Sequence, residues 1–386
     1  MRGGYWKQSR KMCICAVLML GCGVFSTDAR LIVKAENIRS YRYQDILDSS
    51  DGKVVARCLV PSDYTVSGDV IWCGKWQSAG APGQVYVTAL SPDENTVMGY
   101  YSLASYEHFL EYSMGGVSYN QHQDGAFDSQ TLTPMLQFME AEAYCDYMAQ
   151  MILSGYQLTF AEQTETGSEL QQQMDQKANE IYQEMLSLLQ GTGYTVDGTY
   201  AGIAERSYSV ILDGYPFRLN VFASTDGCRI SFTSEIVYGG IVHTSYISWE
   251  APAVYFMLTP ENEYETNRDI YEQFIMNTCF SDQFAEAFTR VKDQIIQQML
   301  NAGCTSMEQA RDYCESSVSS YMGSEATYDA EKFSDYILSQ NDYTMPDGEH
   351  VKISTSYDYV YADDMGNIYV SNTTEQPAGT AQLYPN

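Results

Sequence analysis

The sequence predicts an α+β fold made of two antiparallel sheet-plus-helix modules joined by a helix, with a small α+β C-terminal unit. Three observations predict it. Strand-like runs bounded by Pro, Gly, Ser and Asp clusters fill residues 53–102 and recur at 200–249. Between them, residues 168–190 carry the clearest helical periodicity in the chain. Beyond residue 304 the same signals return on a smaller scale. The expected divisions are a signal peptide at 1–29, a lead-in at 30–52, a first module at 53–165, the connecting helix at 166–193, a second module at 194–303 and the C-terminal unit at 304–386.

The N-terminus reads as an export signal. Arg2, Lys7, Arg10 and Lys11 precede the apolar run 12–25, with no acid among the first eleven residues. That run is shorter than the ~17–25 residues a spanning helix needs, so cleavage is expected rather than retention. Leu18-Met19-Leu20-Gly21-Cys22 resembles the lipobox of bacterial lipoproteins, although Met19 and Leu20 depart from its usual Leu and small residue. The resemblance implies acylation of Cys22 as the new N-terminus. Ordinary cleavage after Ser26 or Ala29 is the alternative, each with a tolerable residue two positions further back.

The first module follows with strands at 54–60, 66–73, 84–90 and 97–102 and a turn at Ser91-Pro92-Asp93-Glu94-Asn95. A helix is expected at 103–114, stopped by Gly115-Gly116, and a longer one at 133–154, capped by Thr133 with Pro134 in its first turn. In the connecting helix Ser168 and Gln171 stand at capping-box spacing. Met174, Ala178, Ile181, Met185 and Leu188 then form its apolar stripe, and Gly191 and Gly193 end it. Strands at 200–212, 217–223, 229–237 and 241–249 make a meander turned at Asp213-Gly214, Asp226-Gly227 and Gly239-Gly240. Helices at 268–278 and 282–300 close the second module.

A faint internal repeat aligns Trp76, Ala81-Pro82, Val85-Tyr86 and Tyr106-Glu107-His108-Phe109-Leu110 with Trp249, Ala251-Pro252, Val254-Tyr255 and Tyr271-Glu272-Gln273-Phe274-Ile275. It reads as a duplicated module. In the tail, Thr305 and Glu308 cap a helix to Met322, a second helix covers 330–339, and short strands turn at Pro346-Asp347-Gly348 and Asp364-Met365-Gly366-Asn367.

Val60-Pro61-Ser62-Asp63-Tyr64, Trp72, Pro82 and Ser91-Pro92-Asp93 resemble the opening of Mog1/PsbP-like α/β sandwiches. The ending from Phe333 to Pro385 resembles the tails of uncharacterised secreted bacterial proteins, lipoproteins among them. Neither resemblance brings catalytic residues. Together they imply a binding or accessory module.

After cleavage before Cys22 or after Ser26, 17 Lys and Arg face 50 Asp and Glu, a net charge of −33. That excludes a nucleic-acid partner, which needs a basic footprint, and adhesion to anionic lipid by charge. Any membrane attachment therefore runs through an N-terminal lipid. Seven cysteines follow Cys22 at spacings that fit no tight framework and read as small buried hydrophobes, although Cys58 and Cys73 could meet across a hairpin.

Catalytic motifs occur only as near misses. The four histidines, His108, His122, His243 and His350, lie in separate segments, so no metal or other cofactor is expected. His243 alternates in phase with Ile241 and Ile247 as a core histidine, and His108 would pair with Glu111 on a helix. Gly116-Val117-Ser118-Tyr119-Asn120 lacks the last glycine of a nucleophile elbow, and Ser50-Asp51-Gly52-Lys53 sits in a turn where Lys53 would not face Ser50. Cys145 and His243 come in papain-like order, but Cys145 falls in the middle of a helix. What stands out is tyrosine: 33 residues, many on expected strands, able to offer flat amphipathic surface to a sugar or a protein. The expectation is an exported, non-enzymatic protein that binds a protein or carbohydrate at the cell surface. A hydrolase working through a carboxylate pair on envelope glycan or peptide is the alternative.

Overall fold

A computed structural model describes residues 39–302 and 340–385, apart from 74–76, 79, 120–121, 127–132, 166, 236–239, 347, 349 and 355–356. The fold is α+β with antiparallel sheets. The first strands are β1 (Arg39–Leu47), β2 (Val54–Pro61), β3 (Thr65–Trp72), β4 (Gly83–Leu90), β5 (Val97–Met114) and β6 (Val117–Tyr119). Next come α1 (Ala141–Ile152), β7 (Thr159–Gln163), α2 (Ser168–Leu188), β8 (Tyr194–Leu212), β9 (Tyr215–Glu235) and β10 (Ile241–Pro260). The chain continues with α3 (Tyr264–Met276), β11 (Cys279–Phe280) and α4 (Asp282–Ala302). It ends with β12 (Gln340–Thr344), β13 (His350–Ser354), β14 (Tyr359–Asp363), β15 (Ile368–Ser371) and β16 (Thr380–Leu383).

Two large sheets share these strands in an order the sequence does not announce. The eight-stranded sheet runs β3-β4-β5-β10-β9-β8-β7, with β6 paired to the far end of β5. It draws strands from both 53–165 and 194–303, joined where β5 lies along β10. The six-stranded sheet, β11-β2-β1-β15-β14-β16, unites strands from the two ends of the chain. Its β1 arises from residues within 30–52, a stretch too weakly patterned to read as a strand. β12 and β13 form a separate hairpin.

Two cores lie on opposite faces of the eight-stranded sheet. On the first, Met98, Tyr100, Phe222, Tyr255 and Met257 meet α3 residues Tyr271 and Phe274 and six-stranded-sheet residues such as Leu59 and Val360. On the second, Tyr106, Val221, Trp249 and Phe256 meet Tyr144, Cys145 and Met148 of α1. Each large side chain sealed this way stabilises the fold by about 1.5–3 kcal/mol.

Several local expectations are corrected. Residues 103–114 are not a helix but the second half of β5, because residues 101–114 find partners along β10 and pairing outweighs propensity. The helix expected at 133–154 begins only at Ala141. Its first turns are spent on sheet hydrogen bonds, Glu107 N–H to Pro134 and Leu136 N–H to Glu107. In α2 the cap position belongs to Gly167 and no side chain caps it, so Ser168 and Gln171 form no capping box. Asp226-Gly227 is no turn, since β9 runs straight through it. A Cβ on Gly227 would stand 2.7 Å from the Cβ of Trp249, so glycine is there for close approach between strands. β10 likewise continues past Pro252 by a bulge between Glu250 and Ala253. Asp213-Gly214 does turn, with both residues at positive φ.

The proposed repeat does not survive: Tyr106 to Leu110 is strand, whereas Tyr271 to Ile275 is helix. Cys58 is a free thiol, so no Cys58–Cys73 bridge forms. The helices expected at 305–322 and 330–339 lie outside the described residues.

Candidate functional site

Directly opposed residues of an antiparallel sheet point to the same face, so register identifies what each face carries. At the end of the eight-stranded sheet far from α3, one row reads Tyr119, Tyr112, Thr244, Phe232 and Tyr194 across β6, β5, β10, β9 and β8. Five strands at ~4.8 Å spacing make this row about 19 Å long. The rings form two pairs, Tyr112 with Tyr119 at 5.9 Å and Tyr194 with Phe232 at 4.8 Å, with the Thr244 position between them. The outermost rings are open to solvent, Tyr119 at 46% and Tyr194 at 40%. One step further out the same face carries Val117, Met114 and Val242.

One step inward the face closes. Val196, Ile230 and half-buried Tyr246 are covered by Ile181, Tyr182, Met185 and Leu189 from the second half of α2. Among the described residues, cover on this face therefore stops at the row that precedes Thr244, while Leu186 and Leu188 of α2 stay exposed beside it.

Deeper on the same face, Asp226 and Glu250 stand directly opposite each other on β9 and β10. Burial pushes the Asp226 carboxyl up to about 6, against a smaller opposing pull from Lys177 of α2. Burial also pushes Glu250 up to about 7, reinforced by Asp226 and opposed by Lys292 of α4 and by Lys177. The pair thus holds protons near neutral pH that a solvated pair would release. Sequence reading missed it because Asp226 looked like a turn residue. Its only trace was the acid on each side of a Gly227–Trp249 approach.

A second charged group, at the edge near β7, is fully compensated. Arg218 binds Glu261 and, at 3.3 Å, Glu162, and lies over the Tyr264 ring. Asn220 and Thr164 each donate to Glu205 at 2.7 Å. Every charge there has a partner of opposite sign or a hydrogen bond, which marks a structural network.

The residues singled out from sequence are scattered. Cys22 lies outside the described residues. Cys145 is buried in α1, its thiol reaching the Ala204 carbonyl at 3.4 Å and pushed well up by burial. His243 is not a core residue: its side chain is 35% exposed and meets Thr233 at 2.9 Å and Glu111 at 3.9 Å. It has the phase of buried Ile247, but the sheet extends beyond its cover there. Ser118 is exposed on β6, and Lys53 faces Asp51 rather than Ser50. His108 is not on a helix with Glu111. It sits on β5 with its ring centroid 4.7 Å from that of His122, which in turn binds Asp124 at 2.8 Å. Among the described residues no group of three or more His, Cys, Asp or Glu side chains is placed to hold a metal ion, and no helix is long and apolar enough to cross a membrane.

No family model matches the chain, and no curated protein matches it. Among solved structures, the chain is similar to the solution structure of cyanobacterial PsbP (CyanoP) from Synechocystis sp. PCC 6803. That similarity has 10% identity and a TM-score of 0.16, and covers 64% of this chain and 97% of that one. The neighbour is of the PsbP kind that residues 60–93 resemble, but a TM-score this low carries no argument about fold or function.

Proposed function

We propose that this protein is exported, held at the membrane through an acylated Cys22 or released after Ser26 or Ala29, and binds a cell-surface carbohydrate without catalysing a reaction. The observation that carries this reading is the aromatic row whose end rings, Tyr119 and Tyr194, stay open to solvent among the described residues. Rings on β6 and β5 and on β9 and β8 flank a threonine position, which suits a ligand that presents flat C–H faces and hydroxyls in alternation. Aromatic area of this kind is expensive to leave in water unless something covers it.

The test is binding of the mature protein to isolated cell-envelope glycan, compared with Tyr112→Ala and Tyr119→Ala. Retention lowered at least tenfold by either change supports the reading. If the glycan is ignored while a surface protein is captured through the same tyrosines, the ligand class is protein instead.

A hydrolase is the second reading, favoured by one observation: the Asp226–Glu250 pair, directly opposed and holding protons near pH 6–7. Carboxylates of raised pKa suit general acid work on a glycosidic bond. Turnover of envelope glycan or peptide that is abolished by Asp226→Asn or Glu250→Gln would replace the binding reading with this one.

A further inference from the structure

We infer that the ligand of the aromatic row is an uncharged, linear polysaccharide gripped along an internal stretch of several sugar units. That identification rests on the carbohydrate reading above and adds charge, length and mode of binding to it. Charge is decided by the two faces of this end of the sheet, which register separates. Three successive levels of the aromatic face, from Phe109 and Tyr246 through Thr244 to Met114 and Val242, hold no acidic or basic side chain among the described residues. The stretch 185–196, which closes α2 and enters β8 beside them, is uncharged as well. The charges of the same strands lie on the other face, where His243 stands 3.9 Å from Glu111 and Arg229 stands 3.9 Å from Asp197. A glycan bearing phosphate or uronate groups would enter the field of a chain with net charge −29 and find no cation among the rings to bind it. A glycan bearing amines would find no carboxylate there. An uncharged glycan needs neither, because the ring faces take its C–H surfaces and the Thr244 hydroxyl can meet its hydroxyls.

Length follows from the spacing of the rings. The pairs Tyr112–Tyr119 and Tyr194–Phe232 sit on β5 with β6 and on β8 with β9, so their centres are about 14 Å apart, three strand spacings of ~4.8 Å. No single pyranose ring covers that gap, and a ligand that uses both pairs is a chain of several units. Two modest ring contacts on one chain reinforce each other, since the first bound unit raises the local concentration of the next. Mode follows from the ends of the row. Tyr119 at one end and Tyr194 at the other are both exposed among the described residues. A walled end would select a chain terminus, whereas a row open at both ends lets a polymer run through and beyond it.

The experiment is affinity electrophoresis of the mature protein through gels containing hydroxyethyl cellulose, glycol chitin or dextran as neutral polymers, and polygalacturonate or a teichoic acid as anionic ones. At least one neutral polymer should retard the protein and neither anionic one should. Raising salt from about 20 to about 500 mM should leave the retardation unchanged. Oligomers of the retarding polymer should then compete according to length, six units at least tenfold better than two. Tyr119→Ala and Tyr194→Ala, at opposite ends of the row, should each weaken competition by six units at least fivefold, with thermal unfolding as the check that each variant folds. Retardation by an anionic polymer that Tyr119→Ala abolishes, retardation that salt removes, equal potency of two and six units, or an effect at only one end overturns this inference and leaves the carbohydrate reading standing. Retardation by none of the five polymers overturns the carbohydrate reading and this inference with it.

Discussion

Two aromatic rows lie on one face of the eight-stranded sheet and are built from nearly the same strands. The inner row reads Val87, Tyr100, Tyr255, Phe222 and Glu205, and its three rings are at most 2% exposed. The outer row, from Tyr119 to Tyr194, keeps its end rings open to water. Composition does not separate them. Cover does: Phe274 of α3 closes on Tyr255 at 6.1 Å, and the six-stranded sheet completes the seal, whereas α2 ends one row short of Thr244. Tyrosine in a strand is therefore a core residue or a surface one according to what the rest of the chain lays over it.

The strongest way to break this comparison is to empty the inner row. Tyr255→Ala should cost about 3–5 kcal/mol in chemical denaturation, since the surrounding rings cannot collapse into the space. A loss under 1 kcal/mol would mean the inner row is as open as the outer one. Next comes the close approach that aligns the strands between the rows. Gly227→Val should destabilise by about 1–3 kcal/mol, because the new side chain meets the Trp249 Cβ and the Ser248 carbonyl.

Asp226 and Glu250, midway between the rows, offer a measurement that depends on pH. Both keep protons in the native state that the unfolded chain releases at about pH 4, so native binding of protons exceeds unfolded binding from there to about 7. Stability from these two groups is greatest below that window, falls as pH rises through it and levels off above. Asp226→Asn and Glu250→Gln should remove this slope and raise stability at pH 8, each by on the order of 1–2 kcal/mol. A flat profile in the unsubstituted protein would place both acids in water. The smallest expected effect on stability belongs to the outer row: Tyr112→Ala should change it by less than about 1 kcal/mol while lowering ligand retention.

Much of the local structure could be read from the chain. The limits of β2, β3 and β4, the long α2 and the Asp213-Gly214 turn follow from alternation, helical periodicity and turn chemistry. Residues 103–114 and Asp226-Gly227 could not be read correctly. Both are consistent locally with a helix or a turn, and both are overruled by a partner strand far away in sequence. The candidate site was half legible. Abundant tyrosine on strands pointed to an aromatic surface, but which tyrosines share a row depends on register, and register is set by pairs such as Tyr112 with Thr244 that no local pattern encodes. The His108–His122 pair was invisible for the same reason.

By itself the sequence determined the class of the fold, the positions of most strands and the strong acidity of the chain, because these depend on composition and on short-range periodicity. Tertiary structure alone decided that strands from both predicted modules join in one sheet, that the ends of the chain share another, and that, among the described residues, one aromatic row is sealed while its neighbour keeps its end rings open to water. Those are consequences of long-range pairing and of where helices come to rest, and an extended strand carries the same residues whichever way they are resolved.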